Sequence, residues 1–380
     1  MAIFAYSDSG FTQSCWRRAK FDAISREAAR RRIKCFSVSS RADLIRYEKI
    51  YKSEFSSLVL IPGTIKQLAD FREMFKGLPL RTIVFAHHTE EFIDSDFSYV
   101  MSDYITVMED MLTLLRRRGA TRIALFGVTK ASNHDTCRER VFRRFYPNGR
   151  VFYFADQASA HRTQDAIEEL LACGETFDAI IACNDFIALS LTAVFDALDP
   201  DWNKKILLAS YSDLLIGRVH SPALTSASLA EDTGGKEIVR IHRARERDPQ
   251  IAVLHALMRA NIAVRETTAQ KDPAGVCFAE ASMTRDELRA ALAPRVKLMR
   301  LELFLETADT LDLQLLCGII ENASKTRLAE RLYLSADSIK YRLRKIRVFF
   351  GFESAAQLHD FLAFWVDPKK LADLSSGRKK

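Results

Sequence analysis

The chain has 380 residues, 48% of them hydrophobic and 28% charged, a balance that excludes a disordered or fibrous protein and leaves room for more than one packed core. Its formal net charge of +7 permits an anionic partner without requiring one. Seven cysteines with no CxxC pair argue against a disulfide framework or a zinc site, and no apolar run is long enough to span a membrane.

In chain order, short apolar runs rich in β-formers alternate with amphipathic helical ones. Ile3 to Tyr6 reads as a strand, Trp16 to Arg31 as a helix with Phe21, Ile24 and Ala28 on one face, and Ile33 to Val38 as a second strand. Strands at Ser57 to Ile61 and Arg81 to Ala86 flank a helix over Lys66 to Phe75. A helix over Ile105 to Arg118 leads to strands at Arg122 to Gly127, Arg150 to Phe154, Ala179 to Ala182 and Ile206 to Tyr211. Between these lie helices, notably Thr163 to Leu171 and Phe186 to Leu198. Such alternation implies an α/β fold with parallel sheets covered on both faces, and ligands of such sheets sit beyond the carboxyl ends of the strands. There is no Gly-rich phosphate loop, GxSxG, HExxH or plausible Cys/His pair, so an enzyme is not expected.

Four phrases in this part resemble the two-lobed sensor shared by lactose/galactose-repressor-type regulators and type I periplasmic binding proteins. MEDMLTLLRRRGATRIALFGV is similar to HLxxxGHRRIAFIGG, and IIACNDFIALSLTAVFDAL to ANDxxAxGxxxAL. LLASYSDLLIGRVHSPALTSASL is similar to VVGFDDxxxxxxxxPPLTTVRQ, and ANIAVRETTA to the LVVRES ending. The resemblance covers most of residues 1–270 and implies two α/β lobes joined by crossing strands, with a small polar ligand, a sugar or sugar-like molecule, in the cleft.

Carried over position by position, the resemblance implies ligand contacts at Asn184 and Asp185 in the AND segment and at Asp213 in the acidic pair, where Ser212 replaces the first acid. Arg138 begins RERVF, similar to the family's RxxGF, with Val141 in place of Gly. Ser9 and Phe11 follow the first strand, His87 and His88 the fourth, and Asp103 the apolar run from Phe97 to Met101. Asn184 serves equally as a helix cap, and Phe11 equally as a packing residue. The adjacent histidines have no carboxylate or cysteine at a helical ligand spacing, so no metal and no cofactor are expected.

Lys271-Asp272-Pro273-Ala274-Gly275 reads as a break, and residues 271–307 as a linker with a connecting helix over Arg285 to Glu306 kinked at Pro294. Leu288, Leu292, Val296, Leu301 and Phe304 are its candidates for burial, either in a dimer seam or against the sensor. Residues 308–366 read as helix, turn, helix and a further basic helix. Ser335 is a good cap for the helix that begins near Ala336, with Ile339, Leu343 and Ile346 on one face. Its other face carries Lys340, Tyr341, Arg342, Arg344, Lys345 and Arg347, a composition suited to phosphates and guanine edges.

AERLYLSADSIKYRLRKIRVFFGF resembles the helix-turn-helix of LuxR-type regulators, and SIKYRLRKI the PucR-type version. It departs at Glu321-Asn322-Ala323-Ser324-Lys325, where LuxR-type proteins have a Gly-containing turn. The resemblance implies a small all-α unit that contacts double-stranded DNA through Lys325, Thr326, Ser335, Asp337, Ser338, Lys340, Tyr341, Arg342, Arg344 and Lys345, as a homodimer. Residues 367–380 are expected to be a disordered basic tail. The whole then reads as a cytoplasmic one-component transcription regulator that neither enters nor lies on a membrane. The alternative is a cytoplasmic solute-binding protein without DNA-binding function.

Overall fold

The computed structural model describes residues 2–7, 15–51, 56–62, 64–78, 80–87, 96–154, 162–228, 231–280 and 283–377. The first lobe is built from β1 (Ala2–Tyr6), α1 (Cys15–Arg30), β2 (Lys34–Val38), α2 (Arg41–Tyr51), β3 (Ser57–Leu60), α3 (Ile65–Phe75), β4 (Arg81–His87) and β5 (Ser98–Asp103). The second contains α4 (Tyr104–Arg117), β6 (Ile123–Val128), α5 (Asn133–Phe145), β7 (Val151–Tyr153), α6 (Arg162–Ala172), β8 (Thr176–Phe177), β9 (Ala179–Ala182), α7 (Asp185–Leu198), β10 (Leu207–Tyr211), α8 (Leu215–Val219) and β11 (Thr225–Ala227). The chain returns to lobe 1 through α9 (Glu231–Arg247) and β12 (His255–Arg259), then to lobe 2 through β13 (Ile262–Ala263) and β14 (Val276–Cys277).

Sheet order in lobe 1 is β12-β5-β4-β3-β1-β2, with parallel pairing throughout. Lobe 2 has the order β13-β11-β10-β9-β6-β7, and only β13 is antiparallel. The central strands are apolar because helices cover both faces: every residue of Ala2–Tyr6 and of Ile123–Val128 is buried. The chain therefore crosses between lobes after β5, after β11 and between β12 and β13. The expected strands and helices are present, with ends shifted by a residue or two. Among the described residues no helix is long and apolar enough to cross a membrane.

The C-terminal helices are α10 (Arg285–Leu292), α11 (Arg295–Thr307), α12 (Thr310–Ile320), α13 (Lys325–Leu332), α14 (Ala336–Phe350), α15 (Ala355–Trp365) and α16 (Pro368–Gly377). They share a core with lobe 2, since Leu298, Leu301, Leu305, Leu313 and Leu316 belong to the same buried cluster as Phe126, Ile181 and Leu208. The connecting helix thus docks on the sensor, and Pro294 splits it into α10 and α11. Leu288, Leu301 and Phe304 are buried as expected, Leu292 is half-buried, and Val296 is exposed.

Residues 271–275, read as a break, lie along lobe 2: Asp272 N–H donates to Arg118 O at 2.7 Å, Gly275 N–H to Lys205 O at 2.9 Å, and β14 pairs with β8. The expected disordered tail is helical as far as Gly377, because Leu371 is fully buried and α16 packs on α12. Burial of one such leucine stabilises by about 1.5–3 kcal/mol, enough to hold a short helix in place.

Candidate functional site

Lobe 2 brings Asn184, Asp185 and Asp213 together at the tips of β9 and β10. Asn184 caps α7, its Oδ1 accepting from Ile187 N–H at 3.0 Å. Asp185 is fully buried, and its carboxylate accepts from the hydroxyls of Ser210 and Ser226 and from Leu214 N–H at 2.6 Å. Burial pushes that carboxyl up to about 6 against these three donors. Asp185 therefore ties β10, β11 and the start of α8 together from inside the lobe.

The loop after β10 is strained. Ser212 (φ 111°) and Asp213 (φ 48°) are consecutive non-glycine residues with positive φ, each costing of order 1 kcal/mol. Asp213 is held there by Ser226 Oγ, which accepts its N–H at 2.9 Å, and by two arginines. Arg265 donates to its Oδ1 at 2.6 Å and Arg218 to its Oδ2 at 2.8 Å.

Arg138 on α5 is buried, pairs with Asp135 Oδ1 at 2.7 Å, and lies between the rings of Tyr104 and Tyr211 at 4.6 and 4.2 Å from their centroids. Burial raises the Asp135 carboxyl, an effect that Arg138 opposes. Asp103 stands apart, at the end of β5, where it caps α4 by accepting from Thr106 N–H at 3.0 Å and Thr106 Oγ1 at 2.7 Å. His87 ends β4 beside Ser102; its side chain, and Ser9, Phe11 and His88, lie outside the described residues. Among the described residues no group of three His, Cys, Asp or Glu side chains could hold a metal ion.

Sequence reasoning missed the residues that join the parts. Trp16, at the start of α1, reaches across from lobe 1 so that its Nε1–H donates to Ser212 Oγ at 3.0 Å and its ring meets Phe186 edge-on at 6.3 Å. Beside it lies a cleft of about 760 Å³, walled by α1, the 212–218 loop, Asn261 of the crossing segment, and α11. On α11, Glu302 accepts from Leu215 N–H at 3.0 Å and Ile216 N–H at 2.8 Å, at the first turn of α8. Burial pushes its carboxyl up to about 7, opposed by those two donors and augmented by Glu306 and Asp185. One turn on, Glu306 pairs with Arg18 of lobe 1 at 3.1 Å. An acid flanked by leucines in the run LMRLELFL was the available signal for Glu302.

Helix α8 is also gripped from its other end. Asp367 N–H donates to Val219 O at 2.7 Å, the buried His220 packs on Trp365, and Lys370 pairs with Glu266 at 2.6 Å. Burial holds the His220 ring down at about 4, so it is neutral.

In the helical part, Ser324 caps α13 and Ser335 caps α14, accepting from Arg327 and Ser338 N–H at 3.2 Å each. Ile339, Ile346 and Phe350 bury one face of α14. Lys325, Thr326, Ser335, Asp337, Ser338, Lys340, Tyr341, Arg344 and Lys345 are exposed. Arg342 differs: its guanidinium pairs with Asp312 at 2.7 Å and Asp309 at 3.4 Å, tying α14 to the start of α12. Arg347 is turned to the helix end, donating to Glu353 O at 3.1 Å. The departure at 321–325 has a physical reason, since Asn322 takes the left-handed conformation (φ 56°) after α12 that a glycine would otherwise supply. Tyr333, 95% exposed at φ 54° in the turn between α13 and α14, is a further surface residue that sequence reasoning passed over.

Residues 112–268 match a family model described as a periplasmic binding protein-like domain, a span that is mostly lobe 2. A comparison with curated protein sequences found no match. Among solved structures, the chain is similar to an uncharacterized protein from Actinobacillus succinogenes, with 17% identity, 70% of this chain and 98% of that one covered, and a TM-score of 0.54. It is similar to the transcriptional regulator CelR in complex with cellobiose, with 16% identity, coverage of 70% and 84%, and a TM-score of 0.54. A LacI family transcriptional regulator from Enterococcus faecalis V583 with bound ribose gives 14% identity, coverage of 73% and 100%, and a TM-score of 0.53. At these identities the likeness establishes the fold, two periplasmic-binding-protein-like lobes.

Proposed function

We propose that the chain is a ligand-responsive transcription regulator. A small polar ligand, a sugar or sugar-like molecule, enters between the lobes, and the α13–α14 pair binds double-stranded DNA as a homodimer. The observation that carries this reading is the placement of α8. It begins at the strained 212–214 loop of the sensor and ends against α15 and α16, while Glu302 of α11 holds its first turn. Glu306 anchors the same α11 to lobe 1 through Arg18. A change in lobe separation therefore acts on α11 from both sides, and α11 carries α14 through the Phe304–Phe350 contact and the Arg300–Phe350 O hydrogen bond.

The similarity to regulators with bound cellobiose and ribose supports a sugar as ligand. Around it we place Asn184, Asp213 and Trp16, with Asp185 and Arg138 as the buried frame beneath. The exposed basic face of α14, resembling LuxR-type or PucR-type helices, supports major-groove contact by Lys340, Tyr341, Arg344 and Lys345. Lys325, Thr326, Ser335, Asp337 and Ser338 would lie along the flanking backbone. Arg342 would act indirectly, by fixing α14 on α12.

The test titrates pentoses and disaccharides while reading tryptophan fluorescence and duplex affinity together. One sugar should change both, and Arg300→Ala, which removes the hydrogen bond from α11 to Phe350 O, should leave sugar binding intact while shrinking its effect on DNA affinity. A sugar that binds with no change in DNA affinity would contradict the reading.

A further inference from the structure

Lys236, Arg240, Arg243 and Arg247 recur at helical spacing along one face of α9, and Arg30, the last residue of α1, and Arg31, just past it, line the other side. Together they line a groove of about 520 Å³. Its two carboxylates are already committed: Glu27 to Arg31 at 2.8 Å and Arg30 at 3.4 Å, and Glu237 to Arg240 at 2.6 Å. Six cations less two carboxylates leave a local excess of four positive charges. Arg243 and Arg247 form no ion pair among the described residues, Lys236 acts on Glu27 only beyond ion-pair distance, and Arg243 donates to Arg31 O at 3.0 Å. Such a cluster works against the fold by self-repulsion, so stability does not account for it.

The groove is unsuited to a small metabolite. Its cationic walls stand in solvent, Arg30 and Arg240 being 69% and 71% exposed. A small-molecule pocket would enclose its ligand between apolar walls, and only Val239 and Ala244 are apolar here. The α9 stripe is about 17 Å long at roughly 1.5 Å per residue. Measured along the duplex axis, that matches about five base-pair steps at about 3.4 Å per phosphate of one strand. One turn back along the same two helices, Arg26 and Asp232 line the cleft beside α11, so the groove runs on toward the helices that carry α14.

We propose that this α1–α9 groove is a second, sequence-independent contact for the sugar-phosphate backbone of duplex DNA. The inference rests on the reading of the chain as a DNA-binding regulator. The test uses the full chain, a labelled duplex of about 40 bp and arbitrary sequence, and a salt series from about 50 to 200 mM. Three proteins are compared: the wild type, the groove variant K236Q/R243Q/R247Q, and the α14 variant K340Q/R344Q/K345Q. The groove variant should bind about 10- to 100-fold more weakly, with a log–log salt slope shallower by about 2 to 3, at roughly 0.9 per phosphate lost. The single change Arg247→Gln, at the exposed end of α9, should flatten the slope by about 1, and the charge-conserving K236R/R243K/R247K should retain wild-type binding. Wild-type affinity and slope in the groove variant, with binding lost in the α14 variant, would overturn this proposal and leave the regulator reading standing. No duplex binding by the wild type would overturn both. Loss of binding to labelled polyglutamate, with duplex binding unchanged, would assign the groove to an acidic protein and overturn the proposal.

Discussion

At the strand tips of lobe 2, Arg138 and Asp185 are buried and held by protein partners, whereas on α14 Lys340, Arg344 and Lys345 stand in solvent and form no ion pair among the described residues. Both sets occupy motif positions, and both carry charge. A buried charge must be neutralised within the fold or it is too costly to keep, so it reports on architecture first. An exposed, unneutralised basic face contributes nothing to folding, so folding does not account for it. The same residue types thus have opposite meanings in the two regions, and burial decides which applies.

The widest separation between the regions should appear in Asp185→Ala. It strands two hydroxyls and one N–H inside lobe 2 and should cost about 3–5 kcal/mol in denaturant unfolding. K340Q/R344Q/K345Q should stay within about 0.5 kcal/mol of wild type while duplex affinity falls on the order of 100-fold near 0.1 M salt. A stable Asp185→Ala variant, or an unstable α14 variant, would break the comparison.

The pH response sharpens it on the buried side. Glu302 has its carboxyl raised to about 7 from an ordinary 4.5, so the folded state holds the proton more tightly. Its stabilising contribution is full below about 4.5 and is lost as pH rises through about 7. Asp185, raised to about 6, acts with the same sign. Thermal unfolding from pH 5 to 8 should therefore show Glu302→Gln gaining on wild type as pH rises, by up to about 3 kcal/mol. Parallel curves for the two proteins would mean that Glu302 is not protonated in the docked joint.

The smallest effect lies within α14. Arg342, half-buried and paired with Asp312 and Asp309, should lose about 0.5–1 kcal/mol of stability on change to Gln, whereas Arg344→Gln should lose nothing measurable. A guanidine titration of the two single variants distinguishes them.

The alternation of elements was legible because parallel strands buried on both faces are apolar throughout, as in Ile123–Val128. The caps at Asn184, Ser335 and Asp103 follow from local chemistry; the first two were legible, the third read only as a ligand contact. What stayed hidden depended on long-range packing. No local pattern says that Asp185 would turn inward to Ser210 and Ser226, or that Arg342 would meet Asp312 across two helices. The docking of α16 likewise rests on the burial of Leu371 in the shared core where α16 packs on α12, so its polar, basic sequence read as a tail. The joint through Trp16 of α1, Glu302 and Glu306 of α11 and the 212–216 stretch draws on segments far apart in sequence and was seen only once they met.

The most direct test of the central claim is selection from a random duplex DNA pool by the full chain, run beside K340Q/R344Q/K345Q. The account predicts that the wild type enriches a sequence of two related half-sites and that the folded triple variant enriches none. Equal enrichment by both proteins, or none by the folded wild type with and without its sugar, would contradict it.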